Sequence, residues 1–149
     1  MTYQNRYLPR EDLFTSLLRG QKTVITYEFR LFHKTRGILS LLGDKMITER
    51  KIEYTVSTDT FGSGYLLETT GGQERYENID ALLERVEKIR IELNRNEKVK
   101  LNELYARIRT TLVHRKLAAP FTLLEPFLQN NRIRGKWKEY RFHTSDGED

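Results

Sequence analysis

Histidines stand far apart at His33, His114 and His143, and the chain has no cysteine. A zinc centre legible in sequence needs ligands at close spacing, so these histidines are read as solvent-facing or packing residues. Gly62-Ser63-Gly64 and Gly71-Gly72 supply turn conformations. Neither has the Lys-Ser/Thr ending of a phosphate loop or opens a helix as a dinucleotide fingerprint does. Glu11-Asp12 pairs two carboxylates at a predicted helix start, where the macrodipole favours acids without any acid–base role. Met46 is read as a packing residue at the start of a strand. No catalytic, cofactor-binding or metal-ligating set emerges, and the expectation is a noncatalytic chain that needs no cofactor.

Two stretches could bind something instead. Residues 1–94 carry 14 Lys/Arg against 14 Asp/Glu, whereas residues 95–141 carry 12 against Glu97, Glu103, Glu125 and Glu139, a local balance of +8. An acidic tail of Asp146, Glu148 and Asp149 brings the whole chain to +5. The basic stretch offers Arg107, Arg109, Arg132, Arg134, Lys136, Lys138 and Arg141 to an anionic polymer or surface, with Tyr105 and Trp137 as stacking groups. Such charges also solvate a face or protect sheet edges, and no nucleic-acid motif accompanies them. The second stretch is Ile38, Leu39, Leu41 and Leu42, directly after Lys34-Thr35-Arg36. It is read first as a plug at one end of the core. Its alternative is an exposed lip with a basic rim that meets a protein partner or lipid.

These residues must be positioned mainly by strands. Thr23 to His33 sets Ile25, Tyr27, Phe29 and Leu31 against Thr26, Glu28 and Arg30. Leu104 to Val113 sets Leu104, Ala106, Ile108 and Leu112 against Tyr105, Arg107, Arg109 and Thr111. Period-two alternation of this kind means half-buried antiparallel strands. Ile52, Tyr54 and Val56 alternate likewise, and Tyr65 to Thr69 returns as a hairpin after a Gly-rich connection, until Gly71-Gly72 breaks the pattern. Lys136 to His143, with Trp137, Tyr140 and Phe142, has aromatic strand character.

Helical spacing occurs twice. Leu13, Phe14, Leu17 and Leu18 follow Pro9 and acidic residues and stop before Gly20. Asn78 is a candidate N-cap for a main amphipathic helix reaching Leu93, with Ile79, Leu82, Leu83, Val86, Ile89 and Leu93 on one stripe. Glu84, Arg85, Glu87, Lys88 and Glu92 form its wet face. Between Ala118 and Leu128, two prolines favour an irregular apolar crossing. At 149 residues the chain suits one domain able to bury a core without staples. The reading is an α+β domain over 13–143, after an N-terminal extension 1–12 and before an acidic tail 144–149. A mainly antiparallel sheet packs on the main helix, and the expected core is Ile25, Tyr27, Phe29, Leu31, Ile52, Tyr54, Val56, Leu82, Leu83, Val86, Leu104, Ile108 and Leu112.

Several separated features recur in order: the short helix before Gly20, Val24-Ile25-Thr26-Tyr27-Glu28-Phe29-Arg30-Leu31, and the strand at 50–57 with Tyr54. A return strand follows, then Asn78-Ile79-Asp80-Ala81-Leu82, Tyr105-Ala106-Arg107-Ile108-Arg109 and Ala119-Pro120-Phe121. This order resembles domain-of-unknown-function family 4390, small bacterial proteins usually made with an export signal, over roughly Leu13 to Phe142. The resemblance implies a cell-envelope or periplasmic location where a leader has been removed, and a cytoplasmic one otherwise. It implies no catalytic residues. The functional expectation is a noncatalytic interaction module of the bacterial envelope, with a protein as the first-choice partner. Binding of an anionic polymer or membrane surface is the alternative.

Overall fold

Alternation becomes strand where it is longest. The computed structural model describes residues 2–4, 8–59, 62–91, 100–116 and 131–142. Within them the chain order is β1 Thr2–Gln4, helix α1 Arg10–Leu18, β2 Gln21–His33, β3 Lys45–Thr58, β4 Tyr65–Thr69 and β5 Gly72–Tyr76. Helix α2 Ile79–Glu87, β6 Lys88–Arg90, β7 Leu104–Lys116, β8 Asn131–Arg134 and β9 Lys138–Arg141 follow. The main sheet runs β5-β4-β3-β2-β7-β8, with β9 also paired to β7, and β1 pairs with β6 separately. The architecture is mostly antiparallel β-sheet with a few helices.

The chain divides into two compact units. The first comprises Met1–Thr26, Glu53–Glu92 and Thr111–Arg134. Here α1 carries Glu11 and Asp12 in its first turn and stops where Gly20, at φ 68°, takes a left-handed conformation that a side chain would disfavour. Asn78 caps α2 by accepting from the Asp80 N–H at 2.7 Å. Val56 opposes Leu67 across the β3–β4 hairpin, and both are fully buried. Gly64 in that connection has no room for a side chain, because a Cβ would lie 2.6 Å from the Tyr76 carbonyl oxygen. Helix α2 lies against β4 and β5 and buries Leu82, Leu83 and Val86.

The second unit comprises Tyr27–Ile52, Leu93–Thr110 and Gly135–Asp149. Its buried residues include Tyr27, Phe29, Leu31, Leu104, Ala106 and Ile108, in the phase that alternation predicts. After β8, the Gly135 N–H donates to the Thr110 carbonyl at 2.8 Å, and β9 pairs with β7 from Tyr105 to Ile108.

Several expectations are corrected. Helix α2 ends at Glu87, because Lys88–Arg90 pairs with Thr2–Gln4. Ile89 and Ile91 are buried with Arg90 exposed between them, a strand's period laid over a helix's stripe. The expected main helix is therefore no longer than α1, each having nine residues. Glu87, assigned to the wet face, is 5% exposed. Ile52 is half-buried rather than core. Strands β1, β5 and β8 were not anticipated, and the last strand is confined to Lys138–Arg141. Met46 is 49% exposed and packs nothing closed. The Ala118–Leu128 crossing, His143, Leu93 and the acidic tail lie outside the described residues. Among the described residues no helix is long and apolar enough to cross a membrane.

Candidate functional site

The aliphatic stretch does not plug the core. Gly37–Leu42 forms a 3-10 turn between β2 and β3, and no residue in it is buried. Ile38, Leu41 and Leu42 are 88, 87 and 85% exposed and Leu39 is 61% exposed, with the exposed Met46 and Ile47 just beyond. Its base is firmly held. Asp44 accepts from the Thr35 N–H at 2.9 Å and from the Tyr105 hydroxyl at 2.8 Å, while the Thr35 hydroxyl donates to the Gly43 carbonyl at 3.0 Å. The Lys34 N–H donates to the Glu103 carbonyl at 2.8 Å, and the Glu103 carboxylate pairs with Arg36 at 3.2 Å and approaches His33 at 3.3 Å. These bonds fix the stem while the aliphatic side chains face water. Asp44 is held below its ordinary pKa, first by the Thr35 N–H and then by Tyr105. Burial and the Asp44 hydrogen bond push Tyr105 up to about 12.

Basic-face residues are only partly brought together, and acids and aromatics separate them. Tyr105, expected on the wet face, is buried at 4% exposure and stacks on Phe32 at 5.2 Å between centroids. Arg107 lies over both rings at 5.3 and 5.4 Å and pairs with Glu139 at 3.4 Å. Arg109 is largely covered and pairs with Glu28. Trp137 receives two guanidiniums, Arg109 at 4.3 Å and Arg30 at 4.7 Å, and Arg30 in turn pairs with Glu49 at 2.6 Å. Arg141 reaches Glu139 at 3.5 Å. Lys136 and Arg141 are exposed, and Lys138 is half-buried in the same unit. Arg132 and Arg134, also exposed, belong to β8 in the first unit, where they oppose Val113 and Thr111. Arg107, Arg109 and Arg141 therefore meet carboxylates, which offset the positive charge of these three side chains.

Two clusters in the first unit escaped the sequence reading. Arg85 of α2 forks onto Glu74 of β5 at 3.2 Å through two nitrogens and lies over Tyr54 at 5.6 Å. The Tyr76 hydroxyl donates to Glu74, and burial with that contact pushes Tyr76 up to about 12. The other cluster is a buried hydrogen-bond chain through Gln21, Ser16, Thr23 and His114. Its signal was available: Thr23 is in phase with Ile25 and Tyr27, and His114 with Leu112, so both are polar groups at core-facing positions. Among the described residues no three His, Cys, Asp or Glu side chains are grouped to hold a metal ion. No protein-family model, curated protein or solved structure matches the chain.

Proposed function

We propose that the protein is a noncatalytic interaction module of the bacterial cell envelope that docks, through the aliphatic turn Gly37–Leu42, onto an anionic lipid surface. The observation that carries this reading is the 85 to 88% exposure of Ile38, Leu41 and Leu42 on a stem closed by Thr35, Asp44 and Glu103. Leaving such side chains in water forfeits up to about 1.5 to 3 kcal/mol each relative to burial. A protruding turn with every residue exposed offers no concave surface for a partner side chain, whereas the interfacial zone of a bilayer accepts aliphatic carbon at any angle. The only side-chain hydroxyl of the turn, on Ser40, donates back to the Gly37 carbonyl at 2.7 Å and asks for no outside partner. Lys34 and Lys45 flank the turn, together with Arg36, which is paired with Glu103. Each cation near an anionic leaflet contributes about 1 kcal/mol. The envelope location in this proposal is what the resemblance noted in the sequence implies. Docking of an anionic polymer on the basic face has less support, because Glu28 and Glu139 already pair with Arg109, Arg107 and Arg141.

Flotation with phosphatidylglycerol/phosphatidylcholine vesicles tests the proposal. The protein should float with these vesicles, less with pure phosphatidylcholine, and less as salt rises. Leu39→Ser/Leu42→Ser should abolish flotation and leave Tm unchanged. Absence of flotation, or retention of it in the double variant, overturns the lipid assignment. Tip-dependent self-association in sedimentation without flotation would make a second copy of the chain the occupant instead.

A further inference from the structure

The first unit contains a cleft of about 310 Å³ lined by Asp12 and Ser16 of α1, Arg19 just after that helix, Gln21 at the start of β2, His114 of β7 and Arg132 of β8. Its volume lies at the small end of the range for small-molecule sites, about 300 to 1,000 Å³. Its floor is chemically specified. The Ser16 hydroxyl donates to Gln21 Oε1 at 3.1 Å, which uses its one proton. Thr23 Oγ1, 2.9 Å from Ser16, must therefore donate to Ser16, and this uses its proton too. His114 Nδ1, 2.9 Å from Thr23, is left as the donor. Proton counting along the chain thus places the hydrogen of the neutral ring on Nδ1 and leaves Nε2 as a bare acceptor. His114 is 9% exposed and lines the cleft. Burial lowers the His114 pKa and keeps the ring neutral, with the charge of Asp12 opposing.

The rim adds charge to this acceptor. Arg19 and Arg132 are exposed cations, and Asp12 is an exposed carboxylate. Two guanidiniums suit a carboxylate, which their planar forks can hold by paired hydrogen bonds. A bare imidazole nitrogen and a carboxylate suit hydroxyl donors. We propose that this cleft binds a small hydroxycarboxylate, its carboxylate facing Arg19 and Arg132 and a hydroxyl donating to His114 Nε2. The site stands in the first unit and is independent of lipid docking through the turn.

Titration of the full chain with D-glucuronate, D-gluconate and L-lactate, followed through the His114 ring resonances, tests it. Acetate supplies charge without a hydroxyl, and glucose hydroxyls without charge. At least one hydroxycarboxylate should shift the His114 resonances, with acetate and glucose each about tenfold weaker or more, as loss of one charged or hydrogen-bonded contact requires. Arg132→Gln, at an exposed position, should weaken binding by about tenfold or more with Tm unchanged. No response to any of the three acids up to the order of 10 mM, where binding would be negligible, overturns the site. So does equal binding of glucose or acetate, or undiminished binding by an Arg19→Gln/Arg132→Gln variant.

Discussion

His114 shows how one side chain's surroundings set a property of the whole fold. Its folded pKa lies below the ordinary value of 6.5, so the unfolded chain binds that proton more readily than the folded one. Stability from the neutral ring is then fully present above about pH 6.5 and is lost as pH falls through the lower folded value. Asp12, Arg19 and Arg132 are the charged groups lining the same cleft. In urea unfolding the protein should lose stability on acidification below pH 6.5, and His114→Gln should flatten that part of the curve; parallel curves would refute the linkage. Trp137 gives a second prediction at this scale. Each cation over its ring contributes about 0.5 to 2 kcal/mol, so Trp137→Ala should lower stability by about 1 to 3 kcal/mol and Trp137→Phe by less. Circular dichroism must follow this unfolding, because Trp137 is the chain's single tryptophan. Strand alternation placed Arg107 and Arg109 on one face, but apart from Tyr105 on the same strand, the rings and acids they meet, Phe32, Trp137, Glu28 and Glu139, come from other segments of the chain.

At the scale of elements, the helices act through contacts that their own periodicity does not display. Arg10, the first residue of α1, donates to both carboxylate oxygens of Glu87, the last residue of α2, at 2.6 and 2.7 Å. The Glu87 side chain is only 6% exposed. Arg10→Ala should therefore lower stability, chiefly because it leaves a buried carboxylate without its partner. Adding Glu87→Leu should recover much of that loss, since exchanging both charges for apolar packing is often neutral. Chemical denaturation of the four species closes the double-mutant cycle, and additive effects would show that the pair is uncoupled. Leu83→Ala should cost about 2 to 5 kcal/mol, because α2 buries this side chain where it lies against β4 and β5. A near-neutral result would separate the helix from the core. The α2 stripe was legible from Asn78 to Val86; beyond it Ile89 satisfied both periods, and pairing with β1 settled the matter for strand.

For the molecule as a whole, the decisive prediction concerns the aliphatic turn. Replacing Leu39 and Leu42 by Ser should leave Tm unchanged, because these side chains are 61 and 85% exposed, while a buried leucine such as Leu67 replaced in the same way should unfold the protein at markedly lower temperature. An equal drop in both variants would return the turn to the core. Most strand phases, the helix starts and the hairpin after Val56 could be read from local pattern, because backbone geometry alternates side chains locally and caps act within a few residues. The fates of Tyr105, Glu87 and Ile38–Leu42 were set by packing between distant segments. Tyr105 meets Asp44 from 61 positions away, and Glu87 meets Arg10 from 77. Whether a polar group is satisfied inside, or an apolar cluster is covered, depends on which distant segments arrive beside it. Periodicity carries no record of that arrival.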